Sequence, residues 1–325
     1  MSDNIMERLD PAAAGFLQQL AAAGERPPLA DLDIEDYRAE SAKLTPIAAL
    51  ESPAGLEVVN TTYPNESGEL AVRIIAKGGA TDRPVLVFFF GGGFVSGDID
   101  SIDSPLRQLV HNLDVVGVAP QYRLAPESPF PAAPNDAYEA TLWVAENIAR
   151  YGGDPRRIIL AGESSGANLA AVTALRIRDE AGPSIAGQIL LEPTIDYEAA
   201  TPSKTEFARG PILLQSDAIT MFDYYLGGDA AKHADPRVSP IRAKSLAGLP
   251  PTLVITAECD LLRDEGEAYG EAVRAAGVPA RTHRLRGLIH GSFALQGLIP
   301  KAQVEFAREI GAFLATISTA NSATA

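Results

Sequence analysis

An α/β fold built on one large, mostly parallel sheet is what this sequence predicts, and three observations point to it. Eight β-rich runs bounded by turn residues recur from Leu56 onward, several of them are apolar throughout, and helical patterns fall between them. The runs lie at 56–59, 70–76, 85–90, 115–119, 158–161, 185–191, 252–256 and 281–285. The third reads Val85-Leu86-Val87-Phe88-Phe89-Phe90, the pattern of a strand covered on both faces. In a helix between the fourth and fifth runs, Ala137, Ala140, Val144 and Ile148 recur at three- and four-residue spacing. Asp136 near its start and Arg150 near its end are placed to complement the helix dipole. After the fifth run, Ala167, Ala170, Ala171 and Ala174 give a small-residue face suited to close packing on the sheet.

Before residue 51 the pattern differs. Phe16, Leu17 and Leu20 in an alanine-rich stretch predict a helix, and Pro27, Pro28 and Pro46 divide the next segment into short helices. Residues 1–50 are accordingly assigned to the N-terminal part of a helical cap. The strand rhythm lapses again over 196–240, where Ile212, Leu213, Met221, Phe222, Tyr224, Tyr225 and Leu226 predict an apolar helix, assigned as a cap insertion. The core is expected over 51–195 and 241–317, and the small polar residues 318–325 as a frayed tail.

A chain of 325 residues accommodates one such core with an added subdomain, and 46% hydrophobic against 21% charged residues is ordinary for a globular protein. The net charge of −15 disfavours nucleic acid and anionic membrane surfaces as partners and leaves small neutral molecules as the best fit. Cys259 is the only cysteine, so neither an intrachain disulfide nor a multi-cysteine zinc site can form. Residues 1–10 lack the basic start and apolar core of a secretory signal, and no apolar run approaches membrane-spanning length. A soluble, cytoplasmic protein is expected.

The run Ile158-Ile159-Leu160-Ala161-Gly162-Glu163-Ser164-Ser165-Gly166 is a strand, then G-x-S-x-G, then an alanine-rich helix. A sharp strand-to-helix turn strains the serine and crowds its neighbours, so glycine is needed on both sides. The serine hydroxyl then stands exposed, with free N–H groups of the helix start beside it. An ordinary helix-capping serine would not need both flanking elements. Ser164 is the expected nucleophile; Ser165 competes, but the glycine spacing leaves it offering its N–H and not its hydroxyl. A second glycine loop, Phe90-Gly91-Gly92-Gly93-Phe94, ends the 85–90 strand and can point N–H groups at a tetrahedral oxyanion. It has neither the following lysine nor the spacing of a phosphate cradle.

In this ordered set of motifs the sequence resembles the hormone-sensitive-lipase-like carboxylesterases, which carry a His-Gly-Gly-Gly loop, a Tyr-Arg-Leu-Ala-Pro-Glu segment and a Gly-Asp-Ser-Ala-Gly elbow. The middle motif stands intact as Tyr122-Arg123-Leu124-Ala125-Pro126-Glu127, followed by Phe130-Pro131-Ala132-Ala133 and Asp136, and the similarity runs from about residue 56 to 310. The resemblance implies an α/β-hydrolase fold with an eight-stranded sheet, helices on both faces and a helical cap, acting on small acyl esters without cofactor or metal. It implies oxyanion donors at the backbone N–H groups of Gly92, Gly93 and Ser165. Dimers are common among such relatives, so a homodimer is the assembly the resemblance implies. Four positions depart from the pattern: Phe90 replaces the loop histidine, Glu163 an aspartate, Ser165 an alanine and Ala167 a second glycine. The resemblance implies that the family's histidine holds the loop without doing chemistry, so Phe90, with Gly91, is expected to support the loop in its place and to spare the N–H donors.

Of the four histidines, His111 falls in a helical stretch, His233 in the cap and His283 in a strand. His290 follows the last strand, before Gly291, Ser292 and Phe293, in the third place of the order serine, acid, histidine. An imidazole there can serve as base and then as acid. Three acids compete after the 252–256 strand: Glu258 at the strand end, Asp260, and Asp264, which with Glu267 looks like a helix-capping pair. Asp260 matches the first aspartate of the family's Asp-Pro-Leu-x-Asp-Glu pattern, with Leu261 in place of proline. By that resemblance it orients His290 and stabilises the imidazolium. Cys259 is expected to be a buried small hydrophobe. Tyr224, Tyr225, Glu192, Pro193 and Asp196 are candidates for lining a pocket, with core packing the equal alternative for the two tyrosines and turn chemistry the alternative for Asp196. The expected activity is serine carboxylesterase; amide, carbamate or lactone hydrolysis would use the same residues, and a noncatalytic ligand-binding relative is the rival from another class.

Overall fold

In the computed structural model the described residues are 3–24 and 27–322, with side chains described for 5–24 and 27–317. Eight strands form one sheet: β1 Leu56–Asn65, β2 Gly68–Lys77, β3 Arg83–Phe89, β4 Val116–Pro120, β5 Gly153–Glu163, β6 Ile185–Leu191, β7 Thr252–Cys259 and β8 Ala280–Ile289. Their order is β1-β2-β4-β3-β5-β6-β7-β8. β2 runs antiparallel to both β1 and β4, and every pair from β4 to β8 is parallel. The chain therefore goes from β3 outward to β4, then returns past β3 to β5. Ends of β3 and β5 consequently lie at the place where the strand order reverses, the usual position of a binding crevice in open α/β sheets.

Apolar sequence explains the centre: in β3 every residue from Val85 to Phe89 is buried, as are all five residues of β4. Helices Ala132–Asn147 and Ser165–Asp179 touch each other over one face, and Asp103–Leu113 and Pro300–Ser322 touch each other over the opposite one. The alanine face of Ser165–Asp179 is buried against β5 and β6, as its small side chains allow. Asp136 does not serve the helix dipole. It is fully buried and forms a two-pronged bond with the Arg123 guanidinium, accepts the Arg123 N–H, and receives the Asn65 amide. Its neighbour in charge is an arginine fork, which a buried carboxylate needs more than a helix end does.

The N-terminal segment forms helices Pro11–Ala22, Ile34–Ala42 and Leu44–Ala48; Pro27 and Pro28 lie in a break between them as expected, but Pro46 falls within the first turn of the last, where its missing N–H costs no helical bond. Asp10 and Asp33 cap the first two by accepting N–H groups of Ala12 and Glu35. The expected apolar helix of the 196–240 segment spans Gln215–Leu226, with Ile212 and Leu213 just ahead of it. The two segments meet where the Leu29 N–H donates to Asp217 Oδ1 at 2.9 Å. At the other end, helix Pro300–Ser322 continues past residue 317, and residues 323–325 of the expected tail lie outside the described residues. No helix among the described residues is long and apolar enough to cross a membrane.

Candidate active site

Four loops meet at the C-terminal ends of the parallel strands: the glycine loop after β3, Ser164 after β5, Asp260 after β7 and His290 after β8. Ser164 sits at φ 53° and ψ −118°, in the left-handed half of backbone space, between β5 and the helix Ser165–Asp179. Such strain in a non-glycine residue persists only where the surroundings enforce it. Here Ser164 N–H is fixed to the Leu191 carbonyl at 2.8 Å, and both flanking glycines are hemmed in by backbone. A Cβ on Gly162 would come within 2.3 Å of the Gly166 carbonyl carbon, and one on Gly166 within 2.1 Å of the Phe89 carbonyl oxygen.

His290 Nε2 lies 3.1 Å from Ser164 Oγ, and Nδ1 lies 3.0 Å from Asp260 Oδ2. A carboxylate only accepts, so in the neutral imidazole Nδ1 carries the proton and Nε2 is left with a lone pair toward the serine hydroxyl. Asp260 is held in turn by the Leu262 N–H on its other oxygen at 2.9 Å. The histidine turn is fastened by two further carboxyls: Glu192 Oε2 accepts the Gly291 N–H at 2.5 Å and Glu163 Oε1 the Ala294 N–H at 3.4 Å. Burial opposes the charge of His290, but Asp260 outweighs it, aided by Glu192 and Glu163, and lifts the imidazole to about 9. Burial raises Glu163 to about 7 and Glu192 well above the usual carboxylate range, while His290 pulls both down.

Across from the histidine, Gly92 and Gly93 adopt φ of +116° and +64°, and a Cβ on Gly93 would strike Met221 Sδ at 2.2 Å. Among the described residues, the N–H groups of Gly92, Gly93 and Ser165 donate to no protein acceptor, which leaves them available to a substrate oxygen. Phe90 is fully buried, and its ring stacks on Tyr122 with centroids 4.1 Å apart and an interplanar angle of 12°. The Tyr122 hydroxyl donates to the Phe90 carbonyl at 2.9 Å. The loop thus has a support made of ring contact and one hydrogen bond.

A second support comes from Arg38, in helix Ile34–Ala42. Its Nε donates to the Val95 carbonyl at 2.8 Å and Nη2 to the Ala125 carbonyl at 3.0 Å, while Nη1 and Nη2 grip Glu127 at 2.8 and 2.7 Å. Nη1 also reaches Glu35, so every guanidinium N–H has an acceptor. Replacing Arg38 with Met should lower kcat about tenfold with KM nearly unchanged, since a displaced loop forfeits part of the ~3–4 kcal/mol a donor supplies. Steady-state kinetics on a model ester checks this, and an unaltered kcat would refute it.

The remaining candidates sort cleanly. His111 lies in helix Asp103–Leu113, His283 on β8, and His233 in the 196–240 segment, its ring inclined at 45° to that of Tyr197 with centroids 4.0 Å apart. None approaches Ser164. His283 gathers with Glu305 and Glu309, but those carboxylates are already ion-paired with Arg281 and Arg308. Glu258 accepts the Gly287 N–H. Asp264 and Glu267 do not form the expected capping pair: Asp264 accepts the Ser203 N–H and pairs with Arg263, and Glu267 binds Arg284 and Thr256. The Ser203 N–H, 61 residues back, and the Arg284 guanidinium on β8 draw them away from the helix start. Cys259 is buried and its thiol is pushed up to about 11. Tyr225 packs face to face on Phe94, 3.8 Å between centroids, and Asp196 pairs with Arg242 and caps the turn at Glu198. Sequence inspection missed Arg38 altogether and offered Glu192 only as a pocket residue.

A family profile described as the alpha/beta hydrolase fold matches residues 86–294. Esterase LipI of Mycobacterium tuberculosis is 41% identical over 251 residues, covering 76% of this chain and 78% of that protein. Among solved structures, a thermostable esterase from Pseudomonas putida superposes with a TM-score of 0.88 at 35% identity, over 93% of this chain and 95% of the other. A hyperthermophilic esterase from Pyrobaculum calidifontis gives 0.88 at 35% identity, over 96% and 99%. With its motifs, sheet order and relatives in agreement, this chain belongs to the alpha/beta-hydrolase family, in its hormone-sensitive-lipase-like branch.

Proposed function

We propose that this chain is a serine carboxylesterase that works through an acyl-enzyme on short to medium acyl esters. The observation that carries it is the unbroken line of two hydrogen bonds, Ser164 to His290 to Asp260, assembled from three separate strand ends. His290 Nε2 takes the hydroxyl proton as Ser164 Oγ attacks the ester carbonyl, and the oxyanion rests on the N–H groups of Gly92, Gly93 and Ser165. His290 then returns that proton to the departing alkoxide, leaving the acyl group on Ser164. Water, deprotonated by His290, attacks the acyl carbon and releases the acid, and the proton goes back to Ser164. Asp260 keeps the imidazole in the required tautomer throughout.

Residues 1–50 and 196–240 act together as the cap. Met221 stands against Gly93, and Phe222 and Tyr225 pack on Phe94, an apolar wall next to the reacting carbonyl that favours compact acyl groups. The acidic surface and single cysteine support a small neutral ester as partner and a reducing, cytoplasmic setting.

A fluorophosphonate should label Ser164 alone, located by peptide mass spectrometry, and a series of p-nitrophenyl esters should show kcat/KM falling beyond medium chain length. Matched amides should be cleaved far more slowly. Absence of labelling would end the proposal. Because the neutral imidazole is the active form and its pKa lies above the ordinary value, kcat/KM should still be climbing past pH 7, with its acid limb near 9. An acid limb at or below about 6.5 in a pH-rate profile would contradict that assignment.

A further inference from the structure

Glu192 stands at the C-terminal end of β6, with its N–H on the Ile255 carbonyl at 2.7 Å and its backbone at φ 48°, a second strained non-glycine residue in the site. Its side chain is fully buried. Oε2 takes the Gly291 N–H, and Oε1 has no hydrogen-bond partner among the described residues. One oxygen of Glu192, one of Asp260 and a ring nitrogen of His290 all lie within 4.8 Å of one another. No step of the acyl-enzyme reaction uses this carboxyl, yet a buried acid with a free oxygen is costly to keep.

We propose that Glu192 is a positioning residue for His290: it holds the histidine turn through Gly291 and presents a second carboxyl to the imidazole that Asp260 already faces. This rests on His290 being the base. The groups facing the imidazole are Ser164 and Glu163 from the end of β5, Glu192 from β6 and Asp260 from β7; its own turn, Gly291 to Ala294, brings no titratable side chain. When His290 accepts the Ser164 proton, the imidazolium favours the ionised form of Glu192, and the carboxylate in turn stabilises the imidazolium. Its removal should let His290 lose its proton at lower pH.

The test is Glu192→Gln, which keeps an oxygen for Gly291 and removes the ionisable group. The His290 ring would be titrated by nitrogen NMR, with its resonances assigned through His290→Gln, alongside the pH-rate profile on a model ester. Ring titration and acid limb should move together to lower pH by about one unit. KM should stay within about twofold, and kcat on the plateau should fall severalfold. Glu192→Ala, which also loses the Gly291 acceptor, should lower kcat further at similar KM. A ring titration in Glu192→Gln superimposable on the parent's overturns the inference, whatever happens to the rate. If the Gln protein does not fold, Glu192→Asp decides: its carboxyl retreats by one methylene, so a smaller shift in the same direction is expected and no shift overturns the proposal. Turnover surviving in His290→Gln would instead sink the base itself, a separate outcome.

Discussion

Replacing Ser164 with Ala should lower kcat by about 10⁵–10⁶-fold, the size of loss seen when the nucleophile of a serine hydrolase is removed. The hydroxyl is the only atom lost. Ala keeps a Cβ, so the turn at φ 53° retains its strain, and the bond from the residue-164 N–H to Leu191 is untouched. Folding should be preserved, with a melting temperature within a few degrees of the parent, and a slowly cleaved ester should bind with unchanged affinity. What survives is the slower reaction the oxyanion donors can promote with water alone. Stopped-flow and steady-state assays on a model ester read the loss directly, and turnover within tenfold of the parent would remove Ser164 from the mechanism.

Asp260→Asn is expected to be nearly as damaging, about 10⁴-fold in kcat, for a reason visible in the hydrogen bonds. Asp260 accepts from two donors at once, the Leu262 N–H on Oδ1 and His290 Nδ1–H on Oδ2. An amide has one oxygen to offer. If it serves Leu262, its NH₂ faces Nδ1 and forces the imidazole into the tautomer that carries its proton on Nε2, where no lone pair is left for the serine. KM should change little, because the substrate does not touch residue 260. Fluorophosphonate labelling should slow in proportion to kcat, and a variant retaining a tenth of the parent rate would show that His290 finds its tautomer without Asp260.

Most of the fold is legible in the apolar runs. All eight strands stand where those runs lie, but several are longer than the runs show. β1 reaches Asn65 through Thr61, Thr62, Tyr63 and Pro64, and β5 starts at Gly153, five residues before its apolar stretch. Those added residues lie toward the edge or bottom of the sheet, where water or ion pairs satisfy polar side chains and hydrophobicity gives no signal. Ser164 and His290 are legible because each follows a strand that the sequence announces and because their order is informative, whereas Asp260 is separated from Glu258 and Asp264 only by its match to the family's Asp-Pro-Leu-x-Asp-Glu pattern. Glu192 and Arg38 are not legible, since their roles are contacts across 99 residues to Gly291 and 89 residues to Glu127. Local spacing points Asp136 and Asp264 to helix ends, yet both are claimed by partners brought near only by folding.

The stack of Phe90 on Tyr122 has a consequence for how the two halves of the site respond to their surroundings. A phenyl ring carries no proton to gain or lose, and burial pushes the Tyr122 hydroxyl above its ordinary value, so it stays protonated through the working range. The proposed cradle for the oxyanion is therefore blind to acidity, whereas Glu163, Glu192 and His290 on the other side respond to it. In this enzyme, acidity reaches catalysis from one side only.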